Sequence, residues 1–310
     1  MSVIEVNHLT KDYGSGRGVF DISFSINEGE VFGFLGPNGA GKSTTIRHLM
    51  GFSKPDKGNT KILGKDSFDN YSEILNHVGY IPGEIALPQG LTGKEFIKMM
   101  QDMYHIHNNE MLDRMLDLFE LEDKVLSQDT KHMSLGVKRK LAVVTAFMSD
   151  PQILILDEPT SGLDPVMQNQ FIKFIMEEKT RGKTILLSSH IFSEVDATCE
   201  RIAIIKDGVI VSEFFADDLK HATKKQYLVS FNNNEEYSKF VSNINTSYIE
   251  INKEFKNTNK VLISCDDSNI NKVIDYISHF NVKEFHHIKE TLEDYFMKYY
   301  KEDKEFGGNF

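Results

Sequence analysis

The sequence predicts an α/β domain followed by a small α+β domain, and three observations carry that expectation. The short apolar run Val31-Phe32-Gly33-Phe34-Leu35 ends in a Gly-rich turn and is followed at 44–50 by a helical pattern, which gives strand, loop and helix in succession. Ile153-Leu154-Ile155-Leu156 and Thr184-Ile185-Leu186-Leu187 are continuous apolar runs, the texture of central parallel strands covered on both faces. Beyond about residue 219 the composition shifts: Asn, Lys, Tyr and Phe rise, and Gly nearly vanishes until Gly307.

Taken in order, residues 3–6 and 20–26 alternate like strands, with turn chemistry between them at Gly14-Ser15-Gly16-Arg17-Gly18. The stretch 95–121 spaces Phe, Ile, Met and Leu as a helix does, so a helical insertion is expected over about 90–150. Residues 202–205, Lys206-Asp207-Gly208 and 209–211 read as a hairpin that closes a first domain at 1–219. In the second domain, 220–303, strands are expected at 227–231, 248–252, 261–265 and 282–286. Helices are expected at 235–244, 269–280 and 291–300, the last opened by a capping box of Thr291 and Asp294. The order β-α-β-β-α-β with a trailing helix is that of a compact α+β domain. The apolar positions Val273, Ile274, Tyr276, Ile277 and Phe280 have helical spacing and are expected to form its private core. His286 and His287, adjacent in a strand, face opposite ways and cannot chelate together. The tail 304–310 is expected to be flexible.

The 310 residues amount to about two domains of ~150 residues each. A hydrophobic share of 40% supplies a sizeable core. There are 35 Lys and Arg against 46 Asp and Glu, a formal net charge of −11, which argues against a nucleic-acid partner because phosphate contacts need clustered cations. Cys199 and Cys265 form neither a disulfide framework nor metal-ligand spacing. Residues 1–9 lack the order of a signal peptide, and no apolar run approaches the ~20 residues of a membrane helix. A cytoplasmic protein is expected, reaching the inner face of a membrane only through a partner.

Gly36-Pro37-Asn38-Gly39-Ala40-Gly41-Lys42-Ser43 matches G-x-x-x-x-G-K-[ST] in full, and Thr44 continues it into the helix. The glycines let backbone N–H groups close around phosphate oxygens at the positive end of the helix. Lys42 bridges the terminal phosphates, and Ser43 offers a hydroxyl to Mg²⁺. By accident, a chain of this length would carry such a match on the order of one time in a hundred. Asp157 and Glu158 then stand at the end of a buried strand, where ligands of open α/β sheets bind. Asp157 is placed to hold Mg²⁺ and Glu158 to polarise an attacking water. A guanine-specific reading fails, because Asn271-Lys272-Val273-Ile274 has Ile where Asn-Lys-x-Asp needs Asp.

With Asp157-Glu158-Pro159-Thr160-Ser161-Gly162-Leu163-Asp164-Pro165 the chain resembles the ATP-binding cassette of ABC transporters over roughly residues 2–220. Those residues match the Walker B strand end and the D-loop, which carries Asp164. Met133-Ser134-Leu135-Gly136-Val137-Lys138-Arg139-Lys140 resembles the signature motif, with Leu135 and Val137 in place of its first Gly and its Gln. Ser189-His190 resembles the switch histidine, and Tyr13 occupies the place of the aromatic that stacks on adenine. The resemblance implies a P-loop NTPase cassette with an antiparallel β subdomain. It implies ATP and Mg²⁺ as cofactors, Glu158, His190 and Lys42 as catalytic residues, and Ser134, Gly136 and Asp164 as further nucleotide contacts. The Q-loop glutamine is missing after Gly79-Tyr80-Ile81-Pro82, where Gly83-Glu84 follows, and Glu84 is expected to stand in as a metal ligand.

One cassette is present, so the resemblance further implies a head-to-tail dimer with a second copy or a paralogue, and a membrane-spanning permease on a separate chain. The C-terminal extension ending in Leu292-Glu293-Asp294-Tyr295-Phe296 is similar to ATPases of ABC-2-type exporters, which handle drugs, antibiotics, peptides or lipids. The alternative is a soluble ABC-type ATPase in translation or DNA repair. The single cassette, the lack of a long coiled-coil insertion and the charge of −11 count against it.

Overall fold

Strands buried at every position need cover on both faces, and three strands of this chain are of that kind: Val31–Leu35, Ile153–Asp157 and Thr184–Ser189. The computed structural model, which describes residues 1–106, 108–220, 224–244, 247–288 and 291–301, puts them side by side in one sheet. The tail expected at 304–310 lies outside the described residues. The chain divides into two compact units, Met1–Ala216 and the residues from Asp217 on.

In the first unit the sheet runs, in spatial order, Val209–Phe215, Arg201–Lys206, Val31–Leu35, Thr184–Ser189, Ile153–Asp157 and Val78–Ile81. All neighbours are parallel except the hairpin formed by the first two. Leu35 pairs with Ser189 and Asp157 pairs with Ser188, so the carboxyl ends of the three central strands lie at one edge. An antiparallel sheet, in the order Gly18–Asn27, Ser2–Asp12, Lys57–Ile62 and Lys65–Asp66, alternates buried and exposed positions and covers one face. Its Ile4, Val6, Ile22, Phe24 and Ile26 share a core with Phe32, Phe34, Ile155 and Leu186, and Phe24 stacks on Phe32 at 5.1 Å. The guanidinium of Arg201 lies 4.8 Å from the Phe32 ring and pairs with Glu30 at 2.7 Å.

The expected helical stretch at 95–121 is two helices, Gly93–Tyr104 and Glu110–Leu118. The first is opened by a Thr92/Glu95 capping box and ended by His105 in a left-handed conformation, φ 54°. The helix Leu135–Phe147, buried over most of its length after Arg139, then leads into Ile153–Asp157.

The second unit is a split βαβ fold. Its strands stand in the order Glu250–Phe255, Lys260–Asp266, Lys224–Phe231 and Val282–Ile288, all antiparallel. The helices Asn234–Asn243 and Ile270–Ser278 supply Tyr237, Phe240, Val273 and Ile277 to a core with Tyr227, Val229, Phe231, Val261 and Ile263. Tyr276 and Phe280 pack against that core, but Ile274 is 50% exposed. At 3.6 residues per turn it falls beside the buried stripe of 273, 277 and 280 rather than within it. His286 pairs with Leu228 and His287 with Tyr227, on opposite faces of the sheet. The Thr291/Asp294 capping box is present at the start of Leu292–Lys301.

Phe32→Ala removes a fully buried ring at the contact between the two sheets. It should lower stability by about 3–5 kcal/mol, read from the midpoint of denaturant unfolding.

Candidate nucleotide-binding site

Two glycines of the turn 36–41 leave no room for a side chain. A Cβ on Gly36 would lie 2.6 Å from the Ile205 carbonyl oxygen, and Gly41 has φ 114° with Val19 2.8 Å from where its Cβ would be. Gly41 is also the N-cap of the helix Lys42–Leu49, and no side chain caps that helix. Its first N–H groups therefore sit at the edge of the sheet with the positive end of the helix dipole. Pro37, Asn38 and Gly39 are exposed, Ala40 is buried, and Ser43 and Thr44 are half-buried on the first helical turn. The Gly208 N–H donates to the Ala40 carbonyl at 2.9 Å, which ties the edge hairpin to the base of the turn.

Lys42 is only 4% exposed. Its ammonium donates to the carbonyls of Gly36 at 2.6 Å and Pro37 at 3.1 Å, and it stands 3.0 Å from Glu158 Oε1 in an ion pair that lacks hydrogen-bond alignment. Glu158 Oε2 contacts His190 Nδ1 at 2.5 Å. The backbone of Glu158 is left-handed, φ 50°, with its N–H donating to the Ser188 carbonyl at 3.0 Å. That conformation costs energy in a non-glycine residue. Asp157 is 2% exposed and accepts from the Ser188 hydroxyl at 2.5 Å. The structure thus brings Lys42, Asp157, Glu158 and His190 together beside the open helix start.

Other expected residues lie on adjoining turns. Ser134 caps the helix Leu135–Phe147, accepting from the Val137 N–H at 3.3 Å, and Leu135 beside it is 57% exposed. Gly136 packs so that a Cβ would stand 3.1 Å from the Gly162 carbonyl oxygen. Asp164 caps its own helix Pro165–Thr180, accepting from the Val166 and Met167 N–H groups at 3.0 Å each. Tyr13 lies on the turn after Ser2–Asp12 with its side chain 55% exposed. At the missing Q-loop glutamine, the residue against Asp157 is Gly83, whose Cβ would fall 2.9 Å from Asp157 Oδ2, while Glu84 is exposed.

Three contributors to this region were not picked out in the sequence. Ser188 falls between the apolar run 184–187 and the pair Ser189-His190, so neither pattern includes it. Glu194 is buried, so desolvation pushes its carboxyl up to about 7 against the Ser189 hydroxyl it accepts from at 2.6 Å. Arg139 is a lysine-flanked arginine inside a helical stretch, yet its guanidinium is buried. Desolvation holds its pKa down while the charges of Asp157 and Glu158 oppose that.

Among the described residues no group of three or more His, Cys, Asp or Glu could hold a metal ion by itself. The Ser43 hydroxyl and the Asp157 carboxylate are hard oxygen donors suited to Mg²⁺, which keeps sites for phosphate oxygens and water. The donor set therefore fits a cation brought with a triphosphate.

A family profile described as ABC transporter matches residues 19–161. The bacitracin transport ATP-binding protein BcrA of Bacillus licheniformis is 36% identical over 225 residues, covering 72% of this chain and 73% of that protein. The chain belongs to the ABC transporter family. It is an ABC cassette that binds and hydrolyses ATP. The Nod factor export ATP-binding protein I of Sinorhizobium fredii is 36% identical over 208 residues, or 66% of this cassette chain and 60% of that protein. A solved structure described as the ATP binding subunit of an ABC transporter superposes with TM-score 0.65 at 32% identity, covering 71% of this chain and 92% of that one. Among the described residues of this ABC protein, no helix is long and apolar enough to cross a membrane.

Lys42→Ala removes the buried ammonium from the turn. The fold should persist, and the affinity for MgATP, titrated by calorimetry, should fall at least tenfold, in line with loss of a charge-assisted contact worth about 1.5–3 kcal/mol.

Proposed function

We propose that this ABC ATPase energises an exporter of drugs, antibiotics, peptides or lipids, through a membrane-spanning permease on a separate chain. The observation that carries the catalytic part is the convergence of Lys42, Asp157, Glu158 and His190 on one helix start at the carboxyl edge of the sheet. The backbone N–H groups of 39–44 and the Lys42 ammonium hold the β- and γ-phosphates. Ser43 and Asp157 hold Mg²⁺, which when bound neutralises charge on the phosphate oxygens. Glu158, fixed by its backbone and by His190, orients the attacking water and accepts its proton, while His190 donates toward the γ-phosphate. Tyr13 offers an exposed ring to adenine.

The helix start at Ser134 and Gly136, the serine exposed and the glycine half-buried, completes the site of a second cassette, from a copy of this chain or a paralogue. Asp164 supports that contact through the turn it caps. Closing and opening of the pair with ATP binding and hydrolysis is the two-state element that drives the permease. The export reading is supported by the relatives named for bacitracin transport and Nod factor export, and the acidic net charge speaks against a nucleic-acid partner.

Glu158→Gln should keep MgATP affinity while steady-state ATPase falls by about 10² or more, since it removes the proton acceptor and leaves the phosphate contacts. Near wild-type turnover would remove Glu158 from that role. For the transport reading, purification from detergent-solubilised membranes of its own cell should recover a stoichiometric multi-span partner. Recovery of ribosomes or DNA-bound complexes instead would favour the soluble class.

A further inference from the structure

We propose that Arg139 is a positioning residue for ATP hydrolysis, one guanidinium that fixes the mutual placement of the turn against Asp157, the turn that follows Glu158 and the helix opened by Ser134. The proposal rests on the site assignment made above. Arg139 is 2% exposed and spends its donors on three main-chain carbonyls: Nε on Ser161 at 3.0 Å, Nη1 on Pro82 at 2.9 Å and Nη2 on Gly83 at 2.7 Å. Among the described residues no carboxylate lies within ion-pair distance of it, so the bonds are made to backbone alone.

That choice of acceptor matters. A carboxylate partner can follow an arginine by rotating its side chain, whereas a carbonyl moves only if the chain moves. The planar fork, with its donors at fixed angles, therefore holds backbone to backbone. The two turns it holds flank the reacting carboxylates. Gly83 lies where a Cβ would be 2.9 Å from Asp157 Oδ2, and the Ser161 N–H donates to the Glu158 carbonyl at 3.1 Å. The third body is the helix Leu135–Phe147 that carries Arg139 itself, just beyond its Ser134 cap. A shift of that helix moves both turns, and a shift of either turn is felt at the helix.

A mere structural staple would lower stability when removed and leave the chemistry of the folded fraction unchanged. Positioning predicts a different split. Loss of an interaction that matters only for alignment lowers kcat and leaves ground-state nucleotide binding intact, and a misplacement near 1 Å costs about 10²-fold. The test measures kcat, MgATP affinity and melting temperature on the full chain. Arg139→Lys keeps the charge but cannot span three carbonyls. It should stay folded at the assay temperature, bind MgATP within about twofold of wild type and lose about 10²-fold in kcat. Arg139→Ala should regain about tenfold or more of its lost turnover with millimolar guanidinium and not with ammonium. Wild-type kcat in the folded Lys variant, loss of affinity in proportion to turnover, unfolding of the Lys variant, or no response of the Ala variant to guanidinium would each overturn the proposal. Lys42→Ala in the same assays tests the site itself. Unchanged affinity there rejects the site assignment whatever Arg139 does.

Discussion

The pairing of Leu35 with Ser189 and of Asp157 with Ser188 is the constraint on which the site depends. Parallel strands in register end at one edge, and each of these three strands is followed at once by a residue with chemistry: the glycine turn, Glu158 and His190. A slip of one residue would turn every side chain of a strand to the other face and take Asp157 away from Ser188. Register is held by burial on both faces, so the same apolar pressure that makes the core also assembles the polar cluster. Asp157 at 2% and Lys42 at 4% exposure would be costly if unpaired. The Ser188 hydroxyl, two carbonyls and the Glu158 carboxylate offset that cost.

The second unit answers to a different logic. Its core centres on Phe240, in ring contact with Phe231, Tyr276 and Phe280 and packed with Val229, Val261, Ile263, Val273 and Ile277. Its two adjacent histidines face opposite ways, and among the described residues it offers no metal cluster.

How much of this was legible in the sequence follows from what kind of signal each feature leaves. A phosphate-binding turn is specified by residue type and spacing, so 36–44 and the strand-end pair Asp157 and Glu158 can be read directly, whereas His190 is legible only through the family resemblance. Continuous apolar runs gave the three central strands because burial on both faces removes polar alternatives. Ile274 went astray because a helical repeat over ten residues fixes a face only to within one position. The break between Gly93–Tyr104 and Glu110–Leu118 was missed because His105 carries no special composition and only its left-handed backbone ends the helix. Arg139 was missed for the opposite reason. In the sequence it is marked only as part of the stretch that resembles the signature motif, and its acceptors are carbonyls, which every residue has and no sequence pattern marks.

Gly83 shows how such an unmarked contact alters the meaning of a marked one. Where the family resemblance leads one to look for a glutamine beside the metal site, a side chain would need space that the Asp157 carboxylate already fills, 2.9 Å from the first carbon. Glycine lets the backbone itself come up to Asp157, and it also leaves that segment with the largest conformational freedom of any residue. Freedom at this point would blur the geometry of the carboxylate it touches. The Gly83 carbonyl is held at 2.7 Å by Arg139, and the preceding Pro82 carbonyl at 2.9 Å by the same group, while proline fixes its own φ. The main chain of this loop is thus pinned, and the residue that pins it stands on the helix opened by Ser134. Gly83 against Asp157 and the buried Arg139 that holds its carbonyl are two halves of one arrangement.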